Sequence, residues 1–142
     1  MTSPELENLV RVGQLKREPA VAAEIRGLLR SGEARLADAA NLTLSLESRF
    51  DLAYGAAHAL ALAALRLRGY RAESRFVVFQ VLPHTLGLAP ALWRVLSKCH
   101  ETRNLAEYEG DLDIDEGLVA DLLEATRAVL AALHAADLLP ED

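Results

Sequence analysis

The sequence predicts an all-α, up-and-down helical bundle, and its composition is the first reason. Of the 142 residues 51% are hydrophobic, yet only nine are Val and two are Ile. Leu and Ala dominate instead, and these side chains lose little rotamer freedom in a helix, whereas strands favour β-branched and aromatic residues. The helical spacing of the apolar residues and the Pro and Gly residues between the apolar segments are the other reasons.

The length predicts a single domain, residues 1–142, with one hydrophobic core. A chain of this size buries on the order of two-thirds of its unfolded surface. Residues 1–18 are expected to form a short N-terminal helical arm. The net charge of −6 argues against a protein that coats duplex DNA through a broadly basic surface.

Three features predict a cytoplasmic protein with no membrane association. The single cysteine, Cys99, fits a reducing compartment. The first 15 residues carry charges and no apolar core segment, so no signal peptide is expected. The most apolar stretch, residues 52–67, is too short to span a bilayer comfortably, and it contains His58 and Arg66, which favours a buried core helix.

A short helix is predicted at the N-terminus. Pro4 suits a first helical turn, because the N–H that it lacks would have no partner there. Thr2 or Ser3 is the expected cap, since a hydroxyl oxygen can accept from a first-turn amide. The helix is expected to reach Val12 and to stop at Gly13.

A second helix is predicted to begin at Pro19, with apolar residues at helical spacing. Ser31 and Gly32 are expected to break or bend the chain. The segment that follows, with apolar residues up to Leu44, either continues the second helix or stands alone.

The clearest element is a helix from Ser45 to about Arg68, closed by Gly69. Apolar residues fill most of its circumference, which predicts that it lies at the centre of the bundle. One side carries a ridge of small residues that would let another helix approach closely: Gly55, Ala59 and Ala63.

The next segment opens at Glu73 or Ser74. The run from Phe76 to Val78 is the one place where a strand competes with a helix, because these residues favour strands. No partner strand is evident elsewhere, so a helix with a bend near Pro83 is predicted.

Two further helices complete the predicted bundle. The first begins at Pro90 and ends by Gly110. Asp113 and Glu116 have the spacing of a capping box for the last helix, which is expected to end before Pro140. The predicted architecture is therefore about four core helices plus short N-terminal helices.

The most unusual local feature lies near the end of the helix that begins at Pro90. Four of its polar side chains fall on one stripe, at positions i, i+3, i+4 and i+7: His100, Arg103, Asn104 and Glu107. Periodicity alone favours a solvated stripe with an ordinary ion pair between Arg103 and Glu107. The alternative is a site for a phosphate or a base, because Tyr108 lies at the same helix end.

The segment Arg103-Asn104 followed by Tyr108 resembles the signature helix of HEPN domains (higher eukaryote and prokaryote nucleotide-binding). The hallmark of that family is an Arg, often followed by Asn, with a His several positions later. The resemblance continues upstream through a Gly-Tyr turn and an arginine-rich loop, and downstream through the acidic turn and the last helix, and covers about residues 19–139. In the helix that begins at Ser45 it rests on four residues: Tyr54, Ala57, His58 and Ala61.

The resemblance implies an all-α bundle that forms a homodimer, in which the Arg and His of two subunits meet and support metal-independent RNA cleavage. Other members only bind nucleotides or act with a nucleotidyltransferase partner, and a toxin–antitoxin or stress-related context fits the family. Carried over, Arg103 is a phosphate contact or transition-state stabiliser, and Asn104 is an orienting hydrogen-bond group. Tyr108 stands where the family has His, and a phenol with a pKa of about 10 exchanges protons poorly near neutral pH.

The remaining polar residues are assigned in the same way. Tyr108 is expected to hydrogen-bond a phosphate or to stack on a base. His100 precedes Arg103 on the same face and is a candidate to supply the missing imidazole, whereas His58 is expected to be a satisfied core histidine. Metal-ligand spacing and cofactor motifs are absent, so no metal and no cofactor is expected.

A basic patch is predicted if the helices that begin at Ser45, Ser74 and Pro90 run up, down and up. The C-terminal ends of the first and third would then lie together, and arginines would cluster near Arg103 and Tyr108. Ordinary solvated arginines are the alternative. The arginines concerned are Arg66, Arg68, Arg71 and Arg75. The candidate ligand-binding residues are Arg103, Asn104, Glu107, Tyr108, Arg68, Arg71 and Arg75, and the candidate catalytic residues are Arg103, Tyr108 and His100.

Three functions are therefore open. The first is a nucleotide- or RNA-binding module. The second is a metal-independent ribonuclease that uses Arg103 with Tyr108 or His100. The third is a non-catalytic adaptor that binds a protein partner through an exposed apolar face. For the adaptor the candidate face belongs to the N-terminal helix, although docking onto its own bundle competes: Leu6, Leu9 and Val10.

Overall fold

The computed structural model describes residues 3–110 and 113–136. These ranges fold into an all-α helical bundle with a small two-stranded sheet, so the predicted fold class is confirmed. None of the helices in these ranges is both long enough and apolar enough to cross a membrane. The elements in chain order are α1 (Pro4–Arg11), β1 (Leu15–Arg17), α2 (Ala22–Ala39), α3 (Leu46–Leu67), β2 (Tyr70–Ala72), α4 (Arg75–Gln80), α5 (Leu82–Thr85), α6 (Pro90–Glu109) and α7 (Glu116–Ala136).

Helix α3 lies at the centre of the bundle, as its apolar circumference predicts. Phe50, Leu60 and Leu65 are fully buried, and they belong to one core cluster that includes residues from α1 to α7. At the start of α3 the hydroxyl of Ser45 accepts a hydrogen bond from the backbone N–H of Ser48 at 3.1 Å. At its end Gly69 has a φ of 86°, a left-handed conformation that favours glycine.

The chain does not break at Ser31 and Gly32, because α2 runs without interruption from Ala22 to Ala39. The segment that follows therefore continues the second helix, which is one of the two alternatives given above. Gly32 is needed for packing instead. A Cβ atom at this position would lie 2.5 Å from Cδ2 of Leu60, a fully buried residue of α3. The glycine therefore lets α2 and α3 approach closely. The helix also begins later than Pro19 and ends before the turn that contains Leu44.

The sequence did not predict the two-stranded sheet. β1 and β2 are antiparallel, with Leu15 opposite Ala72 and Arg17 opposite Tyr70. Each strand has three residues, which is too short for an alternating pattern to stand out. The N-terminal arm is therefore helical only over Pro4–Arg11, and the sheet fastens the arm to the end of α3.

The buried side chain of Arg66 joins the elements around the end of α3. Its guanidinium donates to the carboxylate of Glu24 at 2.6 Å and to the backbone carbonyls of Glu18 and Pro19, each at 2.8 Å. It also donates to the carbonyl of Tyr70 at 3.2 Å. A buried charge is tolerated when its donors find acceptors, and here the acceptors come from both strand ends and from α2.

The chain after β2 forms two short helices rather than one long one. The predicted single helix with a bend near Pro83 is interrupted at Val81, between the end of α4 at Gln80 and the start of α5 at Leu82. Helix α6 then runs antiparallel to α3. The contacts between α3 and α6 show this direction, because Asp51 meets Arg103 while the later Tyr54 meets the earlier His100. The C-terminal half of α6 therefore lies beside the N-terminal half of α3.

The last helix is capped by a different residue from the one predicted. The carboxylate of Asp115 accepts a hydrogen bond from the backbone N–H of Leu118 at 2.8 Å, so Asp115 takes the role expected for Asp113. At the N-terminus the side chain of Ser3 caps α1. The alternative cap Thr2 and the predicted helix end before Pro140 lie outside the described residues.

The two glycines inside α2 are expected to respond in opposite ways to replacement by alanine. Gly27 has open space around its missing Cβ, so Gly27→Ala should raise the free energy of unfolding by about 0.5–1 kcal/mol through higher helix propensity. Gly32→Ala should lower it by about 1–2 kcal/mol, because the clash with Leu60 outweighs that gain. Urea denaturation of both variants measures the difference. A stabilised Gly32→Ala protein would contradict the close helix approach.

Candidate functional site

The polar stripe of α6 faces α3, and its partners differ from the predicted ion pair. Nη1 of Arg103 donates to Oδ1 of Asp51 at 2.6 Å, so Arg103 pairs across to α3 and not with Glu107. The Arg103 guanidinium carbon also lies 5.9 Å from the ring centre of Tyr54, within the range of a cation–π contact. His100 reaches the same tyrosine, with 2.8 Å between its Nδ1 and the Tyr54 hydroxyl.

The stripe thus divides into an inner and an outer part. His100 and Arg103 are half-buried against α3, and Asn104 supports His100, with 3.1 Å between its Nδ2 and the imidazole Nε2. Glu107 and Tyr108 are exposed, and Tyr108 is 91% exposed. Of the five candidates on this helix, His100 and Arg103 therefore face α3, while Asn104, Glu107 and Tyr108 are exposed.

The predicted basic patch is wrong for three of its four arginines, and the first of them, Arg66, is buried and paired with Glu24. Arg68 donates to the backbone carbonyl of Thr85 at 2.9 Å and 3.0 Å, and Arg71 pairs with Glu18 and Glu24. These arginines lie at or after the C-terminal end of α3, whereas Arg103 lies beside its N-terminal half, because α6 is antiparallel to α3. The up-down-up order failed because the segment between them is too short to return along α3.

One arginine of the predicted patch, Arg75, does reach the site. It lines a cavity of about 360 Å³ between α2, α3, α4 and α6. We call this cavity the arginine cleft, after the three arginines that line it from three different helices. Its chemically active lining consists of Arg35, Asp51, Tyr54, His58, Arg75 and Arg103.

The arginine cleft carries more positive charge than its carboxylates neutralise. Asp51 is the acidic residue in its lining, and it pairs with Arg103. Arg35 and Arg75 are exposed, and within residues 3–110 and 113–136 neither forms an ion pair with a carboxylate. Two guanidinium groups are therefore available to an anionic ligand in a protein whose net charge is −6.

Gly55 provides the space for one of these groups. A Cβ atom at this position would lie 2.7 Å from Nη1 of Arg35, so any larger residue would push the guanidinium away. The small-residue ridge of α3 was expected to serve helix packing alone. At Gly55 it also forms the wall of the arginine cleft, together with Ala59.

Sequence reasoning missed Arg35 and Asp51 and undervalued His58. Arg35 and Asp51 belong to no motif, and their contacts join residues that are far apart in the chain. His58 is half-buried, and it lines the arginine cleft and a neighbouring cavity of about 210 Å³. The available signal was the placement of Asp51, Tyr54, Gly55 and His58 on successive turns of one helix.

The two histidines near the cleft are held neutral at physiological pH. Burial, and then the positive charge of Arg75, lower the pKa of His58 to about 4. Burial and Arg75 also lower the pKa of His100, although Glu107 acts in the opposite direction. Burial raises the pKa of Tyr54, so its hydroxyl keeps its proton. The site therefore combines fixed cations with neutral hydrogen-bonding groups.

A second cavity, the α6 groove, lies on the outer side of His100. It measures about 320 Å³ and its lining is mainly apolar. It is lined by aromatic, aliphatic and polar side chains, which include Phe76, His100, Glu101, Asn104, Leu105 and Tyr108. Leu105 is 51% exposed, so the α6 groove presents apolar surface to solvent.

Other features of the described residues offer less to an anionic or nucleophilic site. The cavity of about 450 Å³ between α6 and α7 is lined by three aspartates and Lys98, a balance that disfavours anions. Cys99 is buried, and burial raises the pKa of its thiol to about 12, which opposes thiolate formation. In the part of the chain that the structure describes, no group of three or more His, Cys, Asp or Glu residues could hold a metal ion.

The apolar face proposed for an adaptor is used inside the protein. Leu6 is fully buried in the core, and Leu9 and Val10 pack against it. Helix α1 therefore docks onto its own bundle.

Comparison with known proteins returns no match: no protein-family model, curated protein or solved structure is similar to this chain. The HEPN resemblance therefore stays a prediction that rests on the residues given above.

The lowered pKa of His58 predicts a specific pH dependence of stability. Between pH 6.5 and about 4 the unfolded chain binds a proton at this residue while the folded protein does not. The free energy of unfolding should therefore fall, by up to about 3 kcal/mol, as the pH decreases through this window. Urea denaturation at several pH values measures the change.

His58→Gln should remove this component of the pH dependence. The matched control is His84→Gln, which replaces an exposed histidine of α5 and should leave the pH dependence of the parent protein intact. Equal pH dependence in the parent protein and in His58→Gln would show that His58 is not desolvated as described.

Proposed function

We propose that the protein is a nucleotide- or RNA-binding module of the HEPN type whose ligand places its phosphates in the arginine cleft. The observation that carries the proposal is the convergence of Arg35, Arg75 and Arg103 on one cavity while, among the residues that the structure describes, only Arg103 is paired with a carboxylate. Guanidinium groups match the geometry of phosphate oxygens and keep their charge at any physiological pH.

The surroundings of the arginines support phosphate as the bound group. His58 is neutral in the free protein, and an anion beside it would offset the effect of Arg75 and favour its protonated form. Tyr54 brings a phenol to the same lining. An acidic protein repels polyanions in general, so a locally positive cleft is the place where one can bind.

The resemblance adds the biological setting to this proposal. It suggests a homodimer, a nucleotidyltransferase partner and a toxin–antitoxin or stress-related context. Arg103 and Asn104 keep the roles expected from the motif, Arg103 as a phosphate contact and Asn104 as a group that orients His100. Arg35 and Arg75 join them as phosphate contacts.

The proposal predicts that binding of single-stranded RNA depends on the two unpaired arginines. In the double variant Arg35→Gln/Arg75→Gln the affinity for a fluorescein-labelled oligoribonucleotide should fall at least about tenfold, because each charge-assisted contact contributes about 1.5–3 kcal/mol. The slope of log affinity against log salt concentration should also become shallower. Fluorescence anisotropy measures both quantities.

Arg94→Gln/Arg127→Gln is the matched control, because it removes the same two charges from exposed sites on α6 and α7 that do not line the arginine cleft. Its affinity should remain within about twofold of that of the parent protein. The proposal is wrong if Arg35→Gln/Arg75→Gln and the control bind RNA equally well, or if the parent protein binds neither RNA nor nucleotides.

A second candidate function is RNA cleavage without a metal, and the contact between His100 and Tyr54 beside Arg103 favours it. A neutral imidazole can accept a proton from a ribose hydroxyl, and an adjacent guanidinium can stabilise the developing charge on phosphorus-bound oxygens.

This candidate predicts that the parent protein cleaves RNA in EDTA and that Arg103→Gln lowers the rate at least about a hundredfold. Gel analysis of the products measures the rate. Arg94→Gln removes a charge from the other end of α6 and should cleave at the parent rate. Absence of cleavage by the parent protein between pH 5 and pH 9 would exclude the enzyme and leave the binding function.

A further inference from the structure

The arginine cleft and the α6 groove lie on the two sides of one hydrogen-bonded pair. Tyr54 lines the arginine cleft and His100 lines the α6 groove, and 2.8 Å separates the Tyr54 hydroxyl from the His100 Nδ1. Neighbouring residues of α4 also divide between the cavities, since Arg75 lines the cleft and Phe76 lines the groove. The two cavities are therefore neighbours along α4 and α6.

The two cavities have opposite chemistry. The arginine cleft offers guanidinium groups, whereas the α6 groove offers the rings of Phe76 and Tyr108 and the side chain of Leu105. Aromatic rings and aliphatic side chains bind flat, unsaturated ring systems through stacking, and guanidinium groups bind phosphates. Together they match a molecule with an aromatic ring at one end and several negative charges at the other.

We propose that the two cavities together bind one free nucleotide with two or three phosphates, its base in the α6 groove and its phosphates in the arginine cleft. This inference rests on the proposed function, because it requires phosphate binding in the cleft. It goes further, because it names the ligand as a nucleoside di- or triphosphate and assigns the base to a separate binding site, the α6 groove.

The charge of the cleft favours a ligand with more than one negative charge. Asp51 neutralises Arg103, and this leaves the charges of Arg35 and Arg75 to be balanced by the ligand. A single phosphodiester carries one negative charge, while a diphosphate or triphosphate carries more than two. The polyphosphate chain therefore brings at least the two negative charges that Arg35 and Arg75 require, whereas one linkage of an RNA strand brings one.

The polar rim of the α6 groove suits a base that carries an amino group. Glu101 is exposed at the rim, and its carboxylate can accept a hydrogen bond from an exocyclic amine. Asn104 at the same rim is an amide that can both donate and accept. Adenine fits these groups, and ATP is therefore the first nucleotide to test.

The chain contains a natural probe of the α6 groove. Trp93 is its one tryptophan, and its ring centre lies 6.2 Å from that of Phe76, which lines the groove. A base that stacks in the groove should change the fluorescence of Trp93. Tripolyphosphate, which has no base, should bind the arginine cleft without that change.

The experiment compares ATP with tripolyphosphate in EDTA, by calorimetry for affinity and by Trp93 fluorescence for occupation of the groove. ATP is expected to bind at least about tenfold more tightly than tripolyphosphate, because stacking adds to phosphate binding. In Tyr108→Ala the affinity for ATP should fall towards that for tripolyphosphate, while the affinity for tripolyphosphate stays unchanged.

Leu42→Ala is the matched control, since it removes an exposed apolar side chain, 79% exposed, from the turn before α3. It should bind both ligands like the parent protein.

The inference is overturned if ATP binds no more tightly than tripolyphosphate, if Tyr108→Ala binds ATP like the parent protein, or if an oligoribonucleotide binds and ATP does not. Each of these results leaves phosphate binding in the cleft standing. Loss of that function would appear instead as failure of RNA, ATP and tripolyphosphate alike to bind.

Discussion

The buried guanidinium of Arg66 is the interaction on which the arrangement of the site depends. A charged side chain without solvent is stable only when its donors are satisfied, and Arg66 finds acceptors on α2, on the connection that leads into α2, and on β2. It therefore holds the start of α2 against the end of α3. Because α2 and α3 also meet closely at Gly32, the register between the two helices is set at two points. That register places Arg35 over Gly55 and forms one wall of the arginine cleft.

Two uses of arginine coexist around α3. At the C-terminal end Arg66 and Arg71 share Glu18 and Glu24, and their charges serve the fold. Beside the middle of α3, Arg35 and Arg75 have no such partner within the described ranges, and burial together with the charge of Arg75 lowers the pKa of the neighbouring His58. An acidic protein with few lysines thus separates structural cations from those that a ligand can neutralise.

The elements of the fold that could be predicted are those whose signals are local. The Ser45 cap, the Gly69 end and the apolar surface of α3 are read within a few residues of sequence. The strand pair, the contact of Gly32 with Leu60 and the pairing of Arg103 with Asp51 join residues that lie far apart, so no local pattern contains them. The same holds for the site. The polar stripe of α6 could be recognised from its spacing, whereas Arg35 lines the arginine cleft only because α2 packs on α3.

The hydrogen bonds around His100 also determine which proton faces which cavity. A neutral imidazole has one N–H, and when the Asn104 amide donates to Nε2, that N–H is at Nδ1 and donates to Tyr54. The phenol then keeps its own hydrogen for an acceptor on the side of the cleft. A molecule that draws the Asn104 amide away would allow the other tautomer, in which the phenol donates to His100. The tautomer of His100 thus decides whether the Tyr54 hydroxyl accepts or donates a hydrogen bond. A ligand that changes the contact of Asn104 in the α6 groove would therefore change the hydrogen bonding of Tyr54 in the arginine cleft.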